Sequence, residues 1–466
     1  VRDDSRLKPK RGVLMADTPW GIPTVLLLVV WLLTSCGGGV GVLNDAKAES
    51  LALEIEAALA EFDVPGAAFA LVWPDGEYMA GFGVADIAGR QPVTPDSRFA
   101  VASAIKPAAA LWIDERVQSG AIRWDMPLSK LWPELDLGDA GAITLAQAVG
   151  QTSGYPREDW AWIGRELSAA DLAALMRESA PVASAGRVFT YHNVVFALAL
   201  RGVEAYTGET FPIYPPDVTG YDRALDGRLI PLSETAHQAG AMSVILDAGL
   251  SASESIEMIR ALLADDSLFT AETVSAAGAA CCPLGAGVRY GRGMFTEQYA
   301  GVRVWLHDGD GLGYTAAIML DPAAGIGVFI AANRGNADEF IHALRYAVIE
   351  YAYGFMPSGA VAMRDRWARE AASQRDLARR AIPPIDSDSA FAGDYRSDLR
   401  LGWDAENGLT VYRGVFTWRL RSLAPGYAVV DHGSLIGQAI DLVCVGGVRR
   451  IVSSGTVLGE GDSCPK

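Results

Sequence analysis

The sequence predicts an α+β fold: an antiparallel sheet closed by its terminal helices and interrupted by a helical insertion, with a small all-β domain behind it. Three features predict it. Strand-like stretches fall at both ends of residues 49–358 and do not alternate with helices, which argues against a doubly wound parallel sheet. Helix and loop patterns, punctuated by Gly and Pro, fill positions 123–245 between them. Residues 387–466 change character to short alternating segments (LRLGW, LTVYRG, FTWRLRSL, GYAVVD) separated by Gly and Asn-Gly turns, the pattern of a small β-barrel-like domain.

The elements follow in order. Residues 49–62 have helical spacing, and Val64-Pro65-Gly66 stops the helix. Strands are expected at 67–73 and 77–85 around a Pro74-Asp75-Gly76 turn. A helix is expected over 103–118, and another over 251–264, opened by a Ser251/Glu254 capping box. Strands at 289–296, 301–307, 314–320 and 325–332 precede a helix at 337–352. Residues 359–386 read as a solvated linking helix, rich in Arg, Ala and Glu, that Pro383-Pro384 ends.

The chain carries a net charge of −17 and is 50% hydrophobic. That composition is globular, and it lacks the basic stripe that phosphate backbones need, so nucleic acid is not an expected partner. Arg2, Arg6, Lys8, Lys10 and Arg11 flank an apolar run at 21–33. The run is short for a membrane span and suits a signal-peptide core. It ends in Leu33-Thr34-Ser35-Cys36, similar to a bacterial lipobox. Residues 1–35 therefore read as a lipoprotein signal peptide, Cys36 as the lipidated residue, and 36–48 as a Gly-rich tether. The expected location is the bacterial cell envelope, outside the cytoplasm and held to the membrane by lipid. Export permits disulfides, and Cys444 with Cys464 is the preferred pair.

Ser103-Ala104-Ile105-Lys106 is an S-x-x-K at the start of an expected helix. There the i and i+3 side chains share a face, so the amine reaches the hydroxyl. The same pattern at Ser5–Lys8 and Ser463–Lys466 has no such context. Tyr191-His192-Asn193 is the only Y-x-N, and in an extended turn its first and third residues point the same way. His307-Asp308-Gly309 is the only H-x-G; it ends a strand, where a glycine admits a substrate backbone. No G-x-S-x-G elbow occurs. The five histidines are scattered, so no metal site is expected, and no cofactor is expected either.

The three motifs, in this order, resemble the S-x-x-K, Y-x-N, K-T-G set of the serine β-lactamase and penicillin-binding-protein family. The nearest branch is that of the class C β-lactamases with their esterase and D-aminopeptidase relatives, in which H-x-G often stands third. Val64-Pro65-Gly66-Ala67-Ala68, Gln151-Thr152-Ser153-Gly154-Tyr155-Pro156 and residues 316–333 carry the likeness further. The resemblance implies a β-lactamase/transpeptidase-like fold and an acyl-enzyme on Ser103. It implies Lys106 and Tyr191 as proton carriers, Asn193 as the group that positions the lysine and the substrate amide, and His307 holding the phenol polarised. The backbone N–H groups of Ser103 and Asp310 would form an oxyanion hole, a contribution of ~3 kcal/mol per donor. Gly309 and Asp308 would face the substrate, and an aspartate there would repel a substrate carboxylate. That departure favours a small ester, amide or amine-bearing peptide over a β-lactam. The competing reading is a catalytically inactive binding module of the cell envelope.

Overall fold

The computed structural model describes residues 43–157, 159–163, 165–232, 240–264, 288–395, 399–413, 416–432, 436–446, 448–453 and 456–464. The expected signal peptide, Cys36, and Cys281 with Cys282 lie outside the described residues.

Helix α1 (Asp45–Glu61) starts where the Asn44 side chain accepts from Lys47 N, and its buried stripe is Ala48, Leu51, Ile55, Ala58 and Leu59. Strands β1 (Gly66–Trp73), β2 (Gly76–Asp86) and the short β3 (Gln91–Pro92) follow. Helices α2 (Lys106–Gln118), α3 (Asn193–Thr207) and α4 (Ala252–Ala264) belong to the middle of the chain. Strands β4 (Arg289–Gly291), β5 (Met294–Tyr299), β6 (Val302–Gly311), β7 (Tyr314–Asp321) and β8 (Ile326–Ala332) come next. Helices α5 (Asp338–Tyr353) and α6 (Ser358–Arg380) follow them.

The strands form one eight-stranded antiparallel sheet in the order β3-β2-β1-β8-β7-β6-β5-β4. Every residue of β1, β7 and β8 is buried, because helices cover both faces. Along β1, Ala68, Ala70 and Val72 face the layer that contains α2, α3 and α4. Phe69, Leu71 and Trp73 face the layer of α1, α5 and α6. This period of two places chemistry and support on opposite sides of the sheet. The Ser251/Glu254 capping box is present, with reciprocal bonds of 3.1 and 3.0 Å.

Two expectations change. The strand expected at 289–296 is a tight hairpin, β4 and β5. Arg292 and Gly293 both take positive φ, and a Cβ on Gly293 would lie 2.7 Å from the Lys106 carbonyl oxygen. The tip of the hairpin therefore bears on the start of α2. The linking helix is not merely solvated: Trp367 of α6 is buried against Phe62, and its Nε1 donates to Glu61 O at 2.8 Å. Spaced Arg and Glu masked one anchoring aromatic.

Eight strands between Gly393 and Ser463 close into a barrel. Leu399, Val411, Trp418, Leu420, Val430, Ile440 and Ile451 fill its interior and leave only about 20 Å³, so the barrel is a packed core and not a ligand chamber. Cys444 and Cys464 are disulfide-bonded. The barrel docks on the larger domain through Arg421–Asp226 at 2.8 Å, Leu225 N to Asp431 O at 2.9 Å, and Ile163, which packs against the barrel's apolar cluster.

Candidate active site

The backbone before α2 is folded tightly. Val101 N donates to Ala248 O at 2.9 Å, and Ala102 is held at φ 43°. A 3-10 turn, Ala102–Ile105, leads directly into α2 with Pro107 in the first turn, where its missing N–H costs nothing. Ser103 is the second residue of this turn and stays partly accessible, while Lys106 is completely buried.

Lys106 Nζ is the hub. It lies 2.6 Å from Ser103 Oγ, 2.7 Å from Tyr191 Oη and 3.0 Å from Asn193 Oδ1. None of these partners is a carboxylate. Burial lowers the amine to about 7; more distantly, Asp159 raises it and Arg157 lowers it. A lysine so placed is substantially neutral near pH 7 and able to take a proton from a serine.

Tyr191 and Asn193 share a side because His192 between them is extended, at φ −137° and ψ 101°. His192 itself caps α3, its Nδ1 accepting from Val195 N, and its backbone N–H donates to Gln151 Oε1 at 2.6 Å. Burial lowers the His192 imidazole to about 4, so it is a neutral structural residue.

His307 is buried beside Tyr191, ring centroids 6.0 Å apart, in an aromatic cage with Tyr290 and Phe295. Burial, followed by the nearby Lys106, lowers its pKa to about 3. Its Nδ1 donates to Asp308 O at 2.7 Å, and its buried Nε2 has no hydrogen-bond partner. The expected polarising role therefore needs correction. His307 is a neutral ring packed against Tyr191, and it does not hold the phenol as a cationic lysine would.

Asp308 also departs from expectation. Successive residues of β6 alternate faces, so Asp308 points away from His307 toward α5. There it accepts from Arg345 at 2.8 Å and meets His342 Nε2 at 2.9 Å. Burial raises this carboxyl, but Arg345 and His342 outweigh burial and hold it well below the usual carboxylate range. Its charge is answered within the fold, so it is not the free repelling group that the sequence suggested. Gly309 lies on the backbone of the nucleophile turn: a Cβ there would sit 2.0 Å from Val101 O and 2.8 Å from Ala104 N. Asp310 follows, and its Oδ1 accepts from Asn336 N at 3.3 Å.

One network escaped the sequence. Asn193 Nδ2 donates to Asp159 Oδ1 at 3.2 Å, Trp162 Nε1 donates to the same oxygen, and Asp159 pairs with Arg157. The Arg157 guanidinium lies 5.3 Å from the centre of the Tyr191 ring. This loop ends at Ile163, against the barrel. In the sequence, Arg157 and Asp159 look like any solvated charge pair.

Residues 52–216 match the family model Beta-lactamase. A β-lactamase of Escherichia coli (strain K12) is 33% identical over 91 residues, 20% of this chain and 24% of that protein. Unguisins hydrolase ungD' of Aspergillus campestris (strain IBT 28561) is 24% identical over 178 residues, 36% of this chain and 33% of that protein. The chain thus spans a quarter to a third of the length of these curated relatives. Among solved structures, SurE, also determined with D-Leu, aligns over 88% of this chain and 98% of its own at 18% identity and a TM-score of 0.55. That likeness shows the fold, barrel included.

Proposed function

From a chain whose residues 52–216 match the Beta-lactamase family model, we propose a serine hydrolase that works through an acyl-enzyme on Ser103. The observation that carries this reading is the Lys106 amine, buried without a carboxylate partner and within 3.0 Å of Ser103 Oγ, Tyr191 Oη and Asn193 Oδ1. Neutral Lys106 takes the Ser103 proton as Oγ bonds to the substrate carbonyl carbon, and the carbonyl π pair moves onto oxygen. The backbone N–H groups of Ser103 and Asp310 receive that charge. As the oxyanion collapses, the bond to the leaving group breaks, and the proton passes from Lys106 through the Tyr191 hydroxyl to the leaving atom. Water then enters along the same path in reverse: it loses a proton to the Tyr191–Lys106 pair and bonds to the acyl carbon, and as the ester bond breaks Lys106 returns that proton to Ser103 Oγ. Asn193 holds the lysine with Oδ1 and keeps one amide N–H for the substrate, its other being given to Asp159.

The preferred substrate is an ester, or an amide or peptide of a D-amino acid, not a β-lactam. The support is the third motif: neutral His307 offers no cation to a β-lactam carboxylate, and Arg345 is engaged by Asp308. One relative, at 24% identity, is named a hydrolase of unguisins, whereas the relative at 33% identity is named a β-lactamase. Turnover of a p-nitrophenyl ester, D-alanine p-nitroanilide and a chromogenic cephalosporin tests the choice. The ester or the D-anilide is expected to exceed the cephalosporin by about 100-fold in kcat/KM, as the loss of one charge-assisted contact implies. Cephalosporin turnover equal to the better of the two would overturn it.

A further inference from the structure

Beside α5 and α6 lies a polar cavity of about 270 Å³, lined by Arg334, Arg223, Trp367, Gln374, Asn336 and Asp338 among others. Arg334 is 1% exposed. Among the described residues, its guanidinium makes one hydrogen bond, from Nη2 to Asn336 O at 3.0 Å, and its buried Nε has no partner. No ion pair to it occurs among the described residues. It lies 4.6 Å from the centre of the Trp367 ring. Burial, then Arg223, lowers it to about 10 against Asp63, Glu339 and Asp338, which raise it, so it remains charged at neutral pH.

The neighbouring cations differ in this respect. Arg223 is bound by Asp63 at 2.8 Å and Gln374 at 2.7 Å. Arg366 is paired with Glu339 at 3.0 Å. A buried charge without a direct ion-pair partner destabilises a fold, and a ligand that supplies that partner offsets the cost. Asp338, Glu339 and Glu370 also line the cavity, so acidic groups stand near the cation without pairing with it directly.

We propose that this cavity binds a small carboxylate, with Arg334 as the counter-charge, and that Asp338 and Glu370 favour ligands that also carry an ammonium group, namely an amino acid or a short peptide. Asn336 of the lining also hydrogen-bonds Asp310, but Ser103, Lys106 and Tyr191 do not line the cavity, so the proposal stands independently of Ser103 chemistry.

Ligand-observed NMR titration of the full chain with glycine, acetate and methylamine tests it. Glycine is expected to bind at millimolar concentration, acetate about 5-fold more weakly as one charge contact is lost, and methylamine not at all. Arg334→Met is expected to abolish glycine binding while leaving the melting temperature equal or higher. Asp338→Asn is expected to bring glycine down toward the acetate level. Ser103→Ala is expected to bind glycine like the wild type, which separates this cavity from the acyl site. Glycine binding unchanged in Arg334→Met, or lost in Ser103→Ala, would overturn the proposal. So would no binding of glycine or acetate to the wild type, and, should Arg334→Met not fold, an unchanged glycine-to-acetate ratio in Asp338→Asn.

Discussion

Replacing Lys106 with Met is expected to lower the rate of Ser103 acylation by at least about 10³-fold, the range of a positioned general base, without weakening the fold. Methionine matches the length and fills the volume, but it cannot accept a proton. In the wild type the acylation rate should rise about tenfold per pH unit up to about pH 7 and then level off, because only the neutral amine serves as base. The stability effect runs in the same direction with pH, over a higher range. The folded-state value of about 7 lies below the free value of 10.5, so the folded chain binds fewer protons between these limits. This group's contribution is therefore fully present above pH 10.5 and is lost as pH falls through about 7. The cost of burying it at neutral pH is on the order of 5 kcal/mol, partly offset by its three hydrogen bonds. Lys106→Met should accordingly be as stable as the wild type or more so at pH 6, with the difference shrinking toward pH 10. Denaturant melts at the two pH values, beside labelling rates, check both halves. A variant that acylates normally would remove Lys106 from the mechanism.

Gly309→Ala should produce the second large loss. Its Cβ would collide with the Val101 and Ala104 backbone, which cannot move aside as a side chain would. Strand β6 must retreat from the nucleophile turn, taking the Asp310 N–H with it. A displaced oxyanion donor typically costs about 10²–10³ in rate, and overpacking adds about 1–3 kcal/mol of destabilisation. Gly311→Ala is the control. Its Cβ would meet only the Ala102 Cβ at 3.3 Å, so it should lose far less of either quantity. Equal acylation rates for the two variants would show that the contact between β6 and the turn does not position the reacting groups.

What was legible in the sequence was local. Three-residue spacing at a helix start put Ser103 and Lys106 together, and an extended tripeptide aligned Tyr191 with Asn193. Turn and strand chemistry also announced the sheet and the small β domain. What was not legible depends on partners far along the chain. Asp308 is answered by Arg345 and His342 from α5, and so it looked like a free charge. Trp367 docks α6 on Phe62 across some three hundred residues. Asp159 reaches Asn193 only because the loop that carries it folds back over the site. The turn between β4 and β5 was missed because Arg292, an ordinary surface residue, takes the left-handed conformation normally left to glycine.

The most direct test of the central claim is the intact mass of the full chain after treatment with a fluorophosphonate, beside a Ser103→Ala control. One adduct on the wild type that is absent from the control is the predicted result. Folded wild-type protein without an adduct would contradict the assignment of Ser103 as nucleophile and favour a binding module built on a hydrolase fold, and an adduct that persists in the control would contradict it by placing the nucleophile elsewhere.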